Sequence, residues 1–180
     1  MLDLTKKALP ESITIAGRAF SIKTDHHTWL LFEKQIKARR SFDAAFIFKG
    51  EIPPQEYSQE TMAELLNFAR PQNPLPRRIR TTAAIPLDYE LDSDLIYAAF
   101  MEQYKIDLID EDLHWHKFQA LLQGLNEGTT LKKIMGFRCY EKTEKKVDPY
   151  EELKKAWRID TPETEEEKEK LDAFSRLFEE

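Results

Sequence analysis

The sequence predicts a mainly α-helical domain with a short N-terminal β-hairpin and a C-terminal amphipathic helix. Apolar residues recur at three- and four-residue spacing over most of the chain, whereas polar-apolar alternation is confined to residues 12–22. Five glycines in 180 residues, against roughly 7% in average proteins, leave little material for Gly-rich loops and tilt the balance further towards helix. With 41% apolar and 33% charged residues, the composition is that of a folded chain long enough for one core. The expected organisation is a single mainly helical domain over 1–159, carrying the hairpin, and an acidic amphipathic helix over 160–180.

Ser12-Ile13-Thr14-Ile15 and Ala19-Phe20-Ser21-Ile22 alternate, and Ala16-Gly17-Arg18 between them supplies a glycine for a positive-φ turn. Asp25 reads as the N-cap of a helix that runs to about Arg40 and places Trp29, Phe32, Glu33 and Ile36 on successive turns. Phe42 to Phe48 is too short for its period to separate a buried helix from a strand. Ser58 is the expected cap of a second helix with Met62, Leu65, Leu66 and Ala69 on one face, stopped by Pro71, Pro74 and Pro76. A connector follows to Pro86.

Leu95, Ile96, Ala99, Phe100 and Tyr104 form one stripe, and Trp115, Phe118, Leu121, Leu122 and Leu125 a second. A short break at Asp107 suggests an antiparallel αα-hairpin. Thr129 or Thr130 caps the next helix, with Leu131, Ile134 and Met135 inward. Asp148-Pro149 pairs an N-cap acid with proline at the first helical position, opening a helix expected to bury Leu153, Ala156 and Trp157. Thr164 and Glu167 form a capping box ahead of Leu171, Phe174, Leu177 and Phe178. That last stripe either docks on its own domain or is offered to another protein, docking in cis being the commoner outcome.

Charge and motifs exclude more than they assign. The net charge is −6, and residues 160–180 hold nine acids against three bases, so residues 1–159 sum to zero. This discourages nucleic-acid binding, for which Arg77, Arg78 and Arg80 would be the phosphate-binding arm. No signal peptide or membrane span is visible, and a lone Cys139 fits a reducing cytoplasm and forms neither a disulfide framework nor a multi-cysteine zinc site. His26-His27 and His114-Trp115-His116 lack the i, i+3 or i+4 spacing of helical metal ligands, so surface or partly buried histidines are expected. Cys139 has Arg138 beside it but no base, and is expected to be a buried structural thiol. Asp92 with Asp94 and Asp110 with Asp112 read as helix N-terminal acids. No nucleophile elbow or phosphate loop occurs, and no enzyme and no cofactor is expected.

Leu95-Ile-Tyr-Ala-Ala-Phe-Met-Glu-Gln-Tyr-Lys-Ile-Asp-Leu108, followed by Leu113-His-Trp-His-Lys-Phe-Gln-Ala-Leu-Leu-Gln-Gly-Leu125, resembles the signature of small tail-morphogenesis proteins of phages and prophages of Gram-positive bacteria. The similarity extends loosely over residues 10 to 140. It implies a noncatalytic tail assembly chaperone in the cytoplasm of the bacterial host, with the tape-measure protein as client and the major tail protein as a second candidate partner. Self-association is left open. A tail or connector subunit retained in the virion is the alternative.

Two positions depart from the family pattern. Lys105 stands where the family reads Gly in Tyr-Gly-Ile-Asp, which argues against a turn that demands positive φ. His116 replaces the second Trp of His-Trp-Trp-Lys-Phe, which suggests that position 116 faces outward. Trp115, Phe118, Phe174, Leu177 and Phe178 are the candidate partner contacts, weighed against the core role that aromatic stripes at helical spacing usually have.

Overall fold

A computed structural model describes residues 4–38, 43–70, 84–141 and 148–159. β1 (Ser12–Ile15) and β2 (Arg18–Ser21) pair antiparallel, with Ile13 opposite Phe20 and Ile15 opposite Arg18. The two-residue loop places Ala16 at φ 49° and Gly17 at φ 75°, the double positive-φ turn whose twist matches that of the strands. Alternation then points Ile13, Ile15 and Phe20 inward.

α1 (His26–Lys37) starts where expected, the Asp25 carboxylate accepting from the Thr28 amide at 2.9 Å. It ends at Lys37, and residues 39–42 lie outside the described ones. The ambiguous segment beyond is partly each alternative: Ala44–Ile47 is a 3-10 turn capped by Asp43, and Phe48 forms a β-bridge with Ile22. α2 (Ser58–Ala69) has no side-chain cap. Ser58 was expected in that role, but a 3-10 turn over Gln55–Tyr57 runs directly into the helix, so Ser58 is already its first residue. The connector's proline-rich stretch and its three arginines, within 71–83, lie outside the described residues.

α3 (Ser93–Tyr104) and α4 (Trp115–Gln123) do not form an antiparallel hairpin. Phe100 meets Phe118, the Tyr104 hydroxyl donates to the Leu121 carbonyl at 2.8 Å, and Gln103 reaches the Gly124 carbonyl and the Asn126 amide. Contacts therefore advance together along both helices, bringing their C-terminal ends side by side. The chain between them, Lys105 to His114, is long enough to return to the start of α1. There His26 accepts from the Leu113 amide and donates to the Leu108 carbonyl at 3.0 Å. The turn out of α3 also overturns the expectation for Lys105, which sits at φ 58° in the left-handed region as the helix's C-cap.

α5 (Thr130–Arg138) is capped by Thr129, and α6 (Pro149–Trp157) by Asp148, as the sequence indicates. Packing of α6 is shallower than expected. Leu153 is half-buried, while Ala156 is exposed and Trp157 is 42% exposed; among the described residues the helix packs chiefly on α5 and the residues just past it, where Tyr150 meets Phe137 and stacks on Tyr140 at 5.3 Å. The C-terminal helix expected over 160–180 lies outside the described residues.

A column of rings forms the core. Phe68 stacks on Trp29 at 4.6 Å, Trp29 on Trp115 at 6.4 Å, Trp115 on Phe118 at 5.5 Å and Phe118 on Phe100 at 5.2 Å. It joins α2, α1, α4 and α3 in turn. A buried ion pair holds the far side: Arg138 makes two parallel bonds to Asp92, at 2.6 and 2.8 Å, and donates also to the carbonyls of Pro86 and Trp157. Asp92 is thus more than a helix N-terminal acid, and Arg138 turns towards it. Cys139, expected buried, is exposed just past the end of α5.

Two stability measurements follow. Lys105→Gly removes the Cβ penalty at a left-handed position and should stabilise the fold by roughly 0.5–1 kcal/mol in denaturant titration; a loss of stability would contradict the turn geometry. Asp92→Ala leaves the Arg138 guanidinium buried without its counter-ion and should cost about 3–5 kcal/mol. The double change Asp92→Leu with Arg138→Met should cost far less than the two single changes together, as thermal melts would report.

Candidate functional site

The histidine-tryptophan signature is where the sequence concentrates its polar chemistry, and the fold uses nearly all of it internally. His114 is the N-cap of α4: its Nδ1 accepts from the His116 amide at 3.1 Å, and its Nε2 donates to the Pro10 carbonyl at 3.0 Å. The Trp115 amide donates to the Thr24 carbonyl at 2.6 Å, tying the start of α4 to the start of α1. Three side chains of the same helix then close the end of α2, whose last carbonyls have no partner within their own helix. Trp115 Nε1 and Gln119 Nε2 both donate to the Ala69 carbonyl, at 2.9 and 2.7 Å, and His116 Nε2 donates to the Phe68 carbonyl at 3.0 Å.

Position 116 therefore faces inward, contrary to the expectation drawn from its departure. His116 is only 5% exposed and lies 4.5 Å from the Phe68 ring, so the imidazole serves as a flat packed ring with one donor. Its Nδ1 is buried without a partner among the described residues. Trp115 and Phe118, named as partner contacts, have no exposed surface at all and belong to the ring column. Phe174, Leu177 and Phe178 lie outside the described residues. No group of three or more His, Cys, Asp or Glu among the described residues is arranged to hold a metal.

Hydrogen bonding assigns one tautomer to His26, His114 and His116. In each, Nε2 faces a carbonyl and must carry the proton, which leaves Nδ1 bare. In His26 and His114 that Nδ1 faces a backbone N–H, so a second proton would set donor against donor. Burial is the main cause holding all three below the ordinary 6.5, and the neighbouring histidine lowers His26 and His116 further. These rings are built to stay neutral.

A concavity lies elsewhere, between α1 and the segment Ile85–Glu90 that leads into α3. It is a groove of about 480 Å³, with Leu30 and Leu31 on one wall, Ile85 and Leu87 on the other, and Glu33 and Tyr89 lining it. Two ion pairs, Lys34 with Glu90 at 2.8 Å and Lys37 with Asp88, tie the walls together. Burial pushes the Glu33 carboxyl up, and the same burial, with Glu33 nearby, pushes the Tyr89 hydroxyl up to about 12. The sequence stripe showed α1's core face but not this second face, because Leu30 and Leu31 lie between Trp29 and Phe32 and the four read as one apolar run.

Residues 47–161 match a family described as Bacteriophage Gp15 protein. The chain belongs to that family. The Gp15 match contains both stretches of the signature, α2 to α6 and the Ile85–Glu90 wall of the groove, whereas the hairpin and α1 precede it. No curated protein and no solved structure gives a significant match to the chain. None of the helices described is long and apolar enough to cross a membrane.

The tautomer assignment sets a pH dependence. Below the ordinary histidine value the unfolded chain binds protons that the folded chain refuses, so the three rings contribute fully above pH 6.5 and their contribution is lost as pH falls through the lowered folded values. Unfolding free energy measured in denaturant should be level from pH 8 to about 7 and decline from about pH 6.5 downwards. A flat response to pH 5 would show that the rings are not held neutral.

Proposed function

We propose that this phage protein is a noncatalytic tail assembly chaperone that acts in the host cytoplasm, binding the tape-measure protein and keeping it soluble until the tail tube forms around it. Membership of the Gp15 family supports a phage role, and the signature's resemblance to tail-morphogenesis proteins supports the stage at which it acts. The observation that carries the noncatalytic part is the commitment of the signature's polar groups. Its two histidines, its tryptophan and Gln119 are bonded to backbone groups of Pro10, Phe68 and Ala69, a structural use of these side chains that supports a noncatalytic role.

A client of this kind suits the chain physically. A tape-measure protein is long and helical with apolar stripes, so before assembly it needs soluble partners that cover those stripes one segment at a time. The net charge of −6, all of it carried by residues 160–180, would keep such a complex dispersed. Displacement by tail-tube subunits would release it by mass action.

Co-expression of the chain with the tape-measure protein of its own phage or prophage tests the proposal. Rescue of soluble tape-measure protein and co-elution are expected, and a truncation after Ile159 reports whether residues 160–180 contribute. Absence of both rescue and co-elution would overturn the chaperone reading, and presence of the chain in purified particles would favour the retained tail or connector subunit.

A further inference from the structure

We infer that the groove between α1 and Ile85–Glu90 is the client-binding site, and that it takes an amphipathic protein helix whose apolar side chains flank one lysine or arginine that pairs with Glu33. The inference rests on the chaperone reading and specifies where and by what chemistry the client is held.

The argument begins with α1, which carries two apolar faces. Trp29 and Phe32 face the core and are fully buried, whereas Leu30 and Glu33, one turn apart on the next face, line the groove, with the 43% exposed Leu31 at its margin. Across the gap, Ile85 and Leu87 are only half-buried. An apolar trough of about 480 Å³ has room for a few apolar side chains of an incoming helix, the scale on which helix-in-groove recognition works.

Charge selects the occupant. Of the five charged residues lining the groove, Lys34 is paired with Glu90 and Lys37 with Asp88. Glu33 is the one left over, and among the described residues its carboxylate has neither a hydrogen-bond nor an ion-pair partner. A carboxylate held among leucines without a partner is costly to the free protein, and the raised Glu33 value is the mark of that cost. An incoming cation removes it, because opposite charges in a half-buried, apolar setting attract more strongly than in water. An occupant with an acid at the same place would meet like charge instead, so the residue discriminates as well as attracts.

Glu33 should therefore act in opposite directions on stability and on binding. Glu33→Gln is expected to raise the melting temperature of the free chain while weakening co-elution with the tape-measure protein, a combination that a purely structural residue would not give. Glu33→Lys should weaken binding by at least about tenfold.

The decisive experiment places the photocrosslinker benzoylphenylalanine at position 31 in the full chain, co-expressed with the tape-measure protein. Crosslinks are expected on an amphipathic helix of the client with a lysine or arginine within one turn. Reversal of that cation to Glu in the client should restore binding to the Glu33→Lys chain. Unchanged co-elution of the Glu33→Lys chain, or crosslinks only to residues 71–83 or 160–180 of the same chain, would overturn the groove while leaving the chaperone reading standing. Failure of the unsubstituted chain to co-elute would overturn both.

Discussion

The ring column from Phe68 through Trp29, Trp115 and Phe118 to Phe100 is the constraint on which the other elements depend, since each successive ring comes from a different helix except at the Trp115–Phe118 step within α4. Large flat side chains bury much area per residue and stack only within narrow limits of offset. A column of them sets the spacing of α2, α1, α4 and α3 at once. Both indoles also finish backbone accounts at their edges, Trp29 donating to the Lys23 carbonyl and Trp115 to the Ala69 carbonyl. The column is thus apolar through its middle and hydrogen-bonded at its rim, and one of the rim bonds closes the end of α2 by tertiary contact.

Local signals were legible in the sequence where one residue acts on its immediate neighbours. Asp25, Thr129 and Asp148 cap their helices through bonds to amides two or three residues on, and the alternation of residues 12–21 placed the hairpin. Long-range commitments were not legible. Nothing near Asp92 announces Arg138, forty-six positions away, and nothing near His116 announces the Phe68 carbonyl. The outward expectation for position 116 failed because an imidazole was judged as a poor indole, whereas the site needs a ring of modest size with a donor at one edge. The antiparallel hairpin failed because α3 and α4 were joined by apparent nearness in sequence. Instead, the His26 bonds to Leu108 and Leu113 anchor the intervening loop beside α1. The left-handed Lys105 carried no signal in its own residue type, since lysine does not favour positive φ.

The candidate contacts divide in the same way. Trp115 and Phe118 stand in the apolar stripe of α4, and that is why they are spent on the core: a residue able to bury its whole surface within its own fold contributes more there than at a transient interface. Surface for a partner has to come from apolar residues that the core has no room for. On α1 Leu31 is 43% exposed, and Leu30, packed in part against the core, also lines the groove; each stands a single position from Trp29 or Phe32 and is indistinguishable from them by hydropathy alone.

The groove is consequently tied to both halves of the fold. One wall is the reverse side of the helix that carries Trp29, so it moves only if the ring column moves. The other is held by Asp88, whose carboxylate accepts from the amides of Glu90 and Leu91 and pairs with Lys37, and whose own amide donates to Asp92 at 2.9 Å. Asp92 in turn is clamped by Arg138, which also holds Pro86 beside the groove and Trp157 at the end of α6. A continuous set of bonds thus runs from the end of α6 to the groove wall. A change in the position of α6 would therefore be felt first at Arg138 and next at Pro86 and the groove wall beside it.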